Sequence, residues 1–181
     1  MADTSAFQQR MADMKEMFQG LEPEDRIMLI LRGIQTLDDR FTAEFFDDTF
    51  KFVGVTRPKD GTAVVTFSFP VKKFYTNIMG SLHGGAQATI FDAVTTLALQ
   101  AVAEPEKGQW LEGGGVSRTL NVTYLRPAPE GERVLLECEV VHAGKRLCLL
   151  RGVMKRERDG AIISTCEHNK SVVERGNDWK L

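Results

Sequence analysis

The chain carries no surplus of either charge, no cysteine framework and no apolar stretch long enough to cross a bilayer, and each absence removes a class of protein. Its 23 basic and 25 acidic residues give a net charge of -2, so no overall positive field gathers nucleic acid or anionic lipid, and any anionic ligand must be held by local groups. The three cysteines, Cys138, Cys148 and Cys166, are odd in number, lack CxxC spacing and fall inside apolar alternating runs, which predicts buried reduced thiols. No run approaches the roughly 18 apolar residues of a membrane span. The N-terminal MADTSAFQQRMADMKEMFQG has acidic residues and no apolar h-region, unlike a secretory signal or an Arg-rich transit peptide. An intracellular protein is expected, cytoplasmic or mitochondrial, and the sequon at Asn121-Val122-Thr123 then carries no meaning. No pair of His, Cys or acidic residues has metal-ligand spacing, no G-x-S-x-G elbow is present, and the glycine-rich loops lack the lysine of a phosphate-binding loop. No metal is expected.

What is present fits one globular domain with residues left over: 181 residues, 43% hydrophobic and 27% charged. In residues 1–46, Phe7, Met11, Met14 and Phe18 recur at helical steps, Gly20 stops the run, and PEDRIMLILRGIQTL restarts it with Pro23 near a first turn. Two helices are predicted there, forming an extension. From Phe50 the period changes to two. FKFVGVT and GTAVVTFSFPV flank the turn Pro58-Lys59-Asp60-Gly61 as an antiparallel hairpin, and VSRTLNVTYLRPAP, ERVLLECEVVHAG, KRLCLLRGVMKRERDG and AIISTCEHNKSVV supply four more strands. In the second of these, Val134, Leu136, Cys138 and Val140 share one face, so one side of the sheet needs cover. The one strong helix between the strands can give it. The expected fold is α+β: a long helix wrapped by a curved antiparallel sheet over residues 47–175, after the 1–46 extension and before a 176–181 tail.

That helix opens in YTNIMGSLHGGAQATIFDAVTTLALQ, residues 75–100. Gly84 and Gly85 stand at its start, where backbone N–H groups without intrahelical partners face outward and would stabilise an oxygen carrying negative charge. Small residues at a helix start also permit plain close packing, and the pair alone does not decide between the two. Asp92 sits among Ala88, Phe91, Thr95, Leu99, Ile90, Val94, Leu97 and Ala98, so the helix leaves little room for a solvent-facing carboxylate. It is either a desolvated base or the partner of a cation, with Lys73 and Lys107 nearest in sequence and Arg118 and Arg151 more distant candidates. His142 and His168 read as surface or satisfied core. Gly84 and Asp92 are eight residues apart, about 12 Å along a helix. They can serve one substrate atom only if the second group comes from another copy of the chain, which implies a homodimer with the site at its two-fold.

The stretch NIMGSLHGGAQATIFDAVTTLAL, with GVSRTLNVTYLRPAPEGE and HAGKRLCLL after it, resembles the hotdog-fold acyl-CoA thioesterases of the phenylacetate-degradation type, and within them the animal acyl-CoA thioesterase 13 group. The motif is N-x-x-G-x-L-H-G-G with Asp seven residues after the second glycine, and the resemblance spans residues 50–173. It implies a hotdog fold that hydrolyses acyl-CoA without a cofactor, CoA being part of the substrate, in a homodimer assembling as a tetramer. Carried over position by position, it implies that the Gly84 N–H and the Asn77 side chain polarise the thioester carbonyl, with His83 beside them. The partner subunit's Asp92 would be general base or nucleophile, and Ser117 would hold the water. CoA would lie against Tyr124, Arg126 and Pro127, then His142, Lys145 and Arg146, with Ser171; the three cations suit its phosphates. Lys72-Lys73 stands where relatives often have an acidic residue before the motif asparagine, which leaves acyl preference open. Phe74, Ile78, Met79 and Leu82 are either acyl lining or core. Two other readings stay open: a hydroxyacyl-thioester dehydratase with His83 as base, or a non-catalytic acyl-CoA-binding module. The extension is expected to lay Met11, Met14 and Phe18 over an acyl tunnel or a dimer seam.

Overall fold

The computed structural model describes residues 9, 12–13, 15–36, 41, 43–57, 59–104, 110 and 114–172. All six expected strands form: β1 Lys51–Thr56, β2 Ala63–Pro70, β3 Val116–Tyr124, β4 Arg133–Ala143, β5 Leu147–Arg156 and β6 Ile162–Ser171. They build one antiparallel sheet in the order β1-β2-β4-β5-β6-β3. The alternation in β4 resolves as expected, with Val134, Leu136, Cys138 and Val140 all fully buried. Helix α1 spans Pro23–Gln35 and the long helix α2 spans Gly84–Ala98, continued by a 3₁₀ turn at Leu99–Ala101. This is the hotdog arrangement, a central helix cradled by a curved antiparallel sheet that is not closed.

One glycine seats that helix. Gly152 lies in register between Cys138 on β4 and Cys166 on β6. A Cβ there would come within 2.6 Å of the Phe91 ring and 2.8 Å of Cys166 Sγ, so the missing side chain is the slot that receives Phe91. With Phe91 fixed, Thr95 one turn later meets β6, and Asp92 is turned toward β3. The three cysteines are buried and free, and burial pushes the Cys148 and Cys166 thiols up to about 11 and about 12.

The extension joins the same core. Residues 15–18 are helical, Gly20 turns the chain at φ 79, and Phe18, Ile27 and Leu31 are buried among the residues of the sheet and α2. Phe7, Met11 and Met14 lie outside the described residues, as does the 176–181 tail. Arg26 on α1 is 6% exposed and donates to the carbonyls of Gln100 at 3.0 Å, Ala103 at 3.2 Å and Leu21 at 3.0 Å. A cation is thereby placed on the carbonyl end of the central helix, where the dipole favours it. Lys72 pairs with Asp47 at 2.6 Å and lies 4.7 Å from the Tyr75 ring centroid. It ties the segment after the extension to the start of the α2 loop, so of the Lys72-Lys73 pair only Lys73 stands exposed.

Candidate active site

The loop into α2 is built by Asn77. Its side-chain oxygen accepts from the N–H groups of Met79 at 2.9 Å and Ser81 at 3.2 Å, and Gly80 completes the turn at φ 72. With the oxygen committed to the turn, the amide NH2 is the end left to donate outward. His83 is the N-cap of α2, its Nδ1 accepting from Gly85 N at 2.8 Å. In the neutral ring the proton then sits on Nε2, which makes that nitrogen a donor. The cap uses the Gly85 N–H, and the Gly84 N–H has no partner among the described residues. Tyr124, at the end of β3, donates to Gly84 O at 2.9 Å, and its ring would lie 3.2 Å from a Cβ at Gly84. A side chain at 84 would press on the tyrosine ring, which would have to give by a few tenths of an ångström.

Ile78 and Met79 project almost fully into solvent at 105% and 85% exposure, and Phe74 at 58%, whereas Leu82 is core at 4%. Ile78 and Met79 therefore form an exposed apolar tip on the loop into α2, Phe74 packs its ring against Phe45 and Tyr75 while partly exposed, and Leu82 belongs to the core.

Asp92 is not the buried, unpartnered carboxylate that the apolar surroundings of its helix predict. Its side chain is 50% exposed in the single chain, because α2 passes the sheet at this point near the β3 edge. Ser117 Oγ donates to Asp92 Oδ1 at 2.7 Å, and Asp92 Oδ2 has no hydrogen-bond partner among the described residues. A bulge puts Ser117 there. Leu120 and Val122 pair with His168 and Cys166 on the inward face, and by strict alternation Ser117 would point outward. The register slips between Ser117 and Thr119, so Ser117 pairs with Lys170 and turns inward.

The cation near Asp92 is neither Arg118 nor Arg151 but Lys170 on β6, beside the His168 ring, and Lys107 lies outside the described residues. Lys170, 3% exposed, donates to Ser117 Oγ at 3.1 Å, and His168, fully buried, places Nε2 2.9 Å from the same oxygen and 3.4 Å from Asp92 Oδ1. His168 Nδ1 meets Thr95 Oγ1 at 2.7 Å, and that hydroxyl also contacts Phe91 O at 2.7 Å. Burial, then the Lys170 cation, hold the His168 pKa down to about 4 against the opposing pull of Asp92, so the ring is neutral near pH 7. Burial likewise lowers Lys170, against the pull of Asp92 and Cys148. Four contacts run from Phe91 O through Thr95, His168 and Ser117 to Asp92. The neutral ring and the two hydroxyls bring three protons to these four contacts; with the Ser117 proton directed at Asp92, His168 Nε2 donates to Ser117 Oγ, and the shortfall of one proton lies at the Thr95 end of the chain.

His168, Lys170 and Thr95 were not among the expected site residues. The signal for the first two was a histidine and a lysine both at inward positions of β6, against the polar-out pattern of that strand.

The remaining candidates separate into two ends of β3. Tyr124, Arg126 and Pro127 lie at the end that touches Gly84, with Arg126 donating to Ile162 O at 2.9 Å. Ser171 pairs with Val116 and Leu147 at the other end, beside the exposed turn that carries His142, Lys145 and Arg146. From Ser117 to Tyr124 the strand covers about 23 Å. One end thus holds Asn77, His83, Gly84 and Tyr124, and the other Asp92, Ser117, His168 and Lys170. Among the described residues no group of three or more His, Cys, Asp or Glu is disposed to hold a metal ion, and no helix is long and apolar enough to cross a membrane.

A central helix in a curved six-stranded sheet, with HGG at the helix start and a carboxylate eight residues on, defines a hotdog thioesterase, and residues 79–163 match the family model described as Thioesterase superfamily. The chain belongs to that superfamily. Human acyl-coenzyme A thioesterase 13 is 34% identical over 102 residues, covering 56% of this chain and 68% of that protein. The zebra fish thioesterase superfamily member 2 structure aligns over 80% of this chain and 94% of its own, with a TM-score of 0.66 and 26% identity. The E. coli PaaI protein of the phenylacetic acid degradation operon shares the fold, with a TM-score of 0.57 and 17% identity over 82% of this chain and 94% of that one.

Proposed function

We propose that the chain is an acyl-CoA thioesterase whose active site is composite, the helix start of one protomer facing the Asp92 cluster of its partner. The observation that carries this is the separation of the two groups to opposite ends of β3, itself a sheet edge. Among the described residues β3 bonds only to β6, and most of its residues are exposed in the single chain. Antiparallel pairing of β3 with its two-fold copy would bring the Ser117 end of one chain beside the Tyr124 end of the other. The extension, residues 1–46, and the hotdog domain, residues 47–175, then act as one unit within each protomer.

In this reading the thioester carbonyl oxygen lies against the Gly84 N–H and the Asn77 NH2. Water bound by Asp92 Oδ2 attacks the carbonyl carbon and gives its proton to the carboxylate. The oxyanion is held at the helix start, and its collapse breaks the C–S bond. The thiolate leaves and recovers the proton, giving free acid and CoA. Ser117 orients the carboxylate from Oδ1, and His168 and Lys170 orient Ser117. Arg126 from one chain and Lys145 and Arg146 from the other suit the CoA phosphates. Tyr124, Pro127, His142 and Ser171 complete that surface, and the exposed Phe74, Ile78 and Met79 offer apolar contact to the acyl chain or the partner. Dimers assembling into a tetramer, and a cytoplasmic or mitochondrial location, go with this reading. The capping bond of His83 argues against a dehydratase, because it leaves a donor, not a base, on the exposed nitrogen.

Thiol release from a panel of short, long and aryl-acetyl CoA thioesters tests the activity. Mixing two inactive variants, Asn77→Asp and Asp92→Asn, tests the composite site. Random mixed dimers hold one site built from two wild-type halves, so activity should recover to about a quarter of wild type. Recovery no greater than the sum of the separate variants would mean a site within one chain.

A further inference from the structure

We infer that Trp110 is a positioning residue for the CoA nucleotide: it fixes the turn between β4 and β5 that presents Lys145 and Arg146. The inference rests on the acyl-CoA reading above. Trp110 is the one non-glycine among the described residues with positive φ, at 62, and it is 3% exposed. A bulky residue keeps the left-handed conformation only where its surroundings hold it. Its contacts show what holds it and what it holds in turn. The indole Nε1 donates to Gly144 O at 2.9 Å, in the turn one residue before Lys145. The Trp110 carbonyl accepts from Gln100 Nε2 at 3.3 Å, and the Gln100 carbonyl accepts from Arg26. The ring packs beside Gly115, where a Cβ would come within 3.2 Å of Cζ3.

Trp110 therefore stands on the rigid carbonyl end of the central helix and reaches across to the turn. The turn is also tied by Gly144 N to Leu147 O and by Val172 N to Arg146 O, both 2.9 Å. Those two close the hairpin and join it to the end of β6. The indole bond joins it to the segment leaving the central helix, and so adds to the sheet pairing a tie that runs from the Lys145 and Arg146 turn to the carbonyl end of that helix. Such a bond serves a ligand whose charged end must be met at a fixed distance from its reacting end, as in CoA, whose phosphates are far from the thioester.

The test compares one acyl group on CoA and on pantetheine, which lacks every phosphate, in the full-length protein. Trp110→Phe removes the N–H and part of the ring; benzothienylalanine introduced at 110 replaces only the N–H by sulfur and keeps the ring. The expected result is a KM for acyl-CoA raised about three- to ten-fold, the scale of one hydrogen bond, with kcat held and the KM for acyl-pantetheine unchanged. The benzothienyl variant should match Trp110→Phe. Equal rises in KM for both substrates, a fall in kcat with the CoA preference intact, no change, or unfolding of both variants would each overturn the inference. The reading beneath it fails separately: wild type would then cleave neither thioester, or cleave both with no preference for CoA.

Discussion

Replacing Lys170 by methionine should raise the pKa of His168 and move the acid limit of both activity and stability. Lys170 Nζ and His168 Nε2 are each about 3 Å from Ser117 Oγ, so they lie no more than about 6 Å apart. At that distance and an effective dielectric near 20, two like charges repel by roughly 3 kcal/mol, or about 2 pK units. Relaxation and the nearby Asp92 charge reduce this, so the expected rise is about 1 to 2 units, from about 4 in the wild type. Unfolded histidine titrates near 6.5. Because the folded ring resists protonation, the unfolded chain binds the extra proton first, and stability falls as pH drops below about 6.5, levelling off below the folded pKa. For wild type that loss is about 3 kcal/mol; in Lys170→Met it should shrink to roughly 1 to 2 kcal/mol. Methionine keeps the length of the buried stem, which limits the packing change. Histidine-labelled NMR titration reads the pKa directly, with His168→Gln assigning the signal among the three histidines, and urea melts at stepped pH read the linkage. The reasoning fails if the His168 pKa in the variant stays near 4 or falls, since burial alone would then account for the depression.

Asp92→Asn should lower kcat by about 10²- to 10⁴-fold, the usual worth of a positioned general base, with KM within two-fold of wild type. A loss under ten-fold would move the base elsewhere. Arg26→Met removes three donations to backbone carbonyls, two of them buried, and strands the carbonyls at the end of the central helix; it should cost about 3 kcal/mol and lower Tm by roughly 6 to 12 °C in a chain of this size. An unchanged Tm would show that the extension is not anchored through this residue. Gly152→Ala forces a methyl into the Phe91 ring and should destabilise by about 1 to 3 kcal/mol, whereas a neutral result in chemical denaturation would mean the helix shifts without penalty.

The fold was legible because its information is periodic. Six alternating runs, separated by turn residues, match the six observed strands, and one apolar helix was the only available cover for the face defined by Val134, Leu136, Cys138 and Val140. Periodicity could not show where the helix would seat. That depends on Gly152 meeting Phe91, two residues 61 positions apart in the chain, and a glycine within an alternating strand signals only a close approach of something unspecified.

The site was legible in half, for a related reason. The Asn77, His83 and Gly84 end is local: one loop and one cap fix it, and contiguous residues reveal it. The Asp92 end is assembled from α2, β3 and β6, and its phase depends on the bulge after Ser117, which no residue between Ser117 and Thr119 announces. Strict alternation sends Ser117 outward, so the strand pattern gives Asp92 no neighbour, and the apolar residues around it on the helix made an isolated buried carboxylate the natural reading. Lys170 and His168 were hidden for the opposite reason: polar residues at inward positions read as exceptions to a buried face when each is taken alone. Together they form the lining that lets a half-exposed carboxylate keep an oriented free oxygen. That carboxylate lies more than two helical turns from its own Gly84, and this separation is what leads to the proposal that a second copy of the chain covers the β3 edge and completes the chemistry.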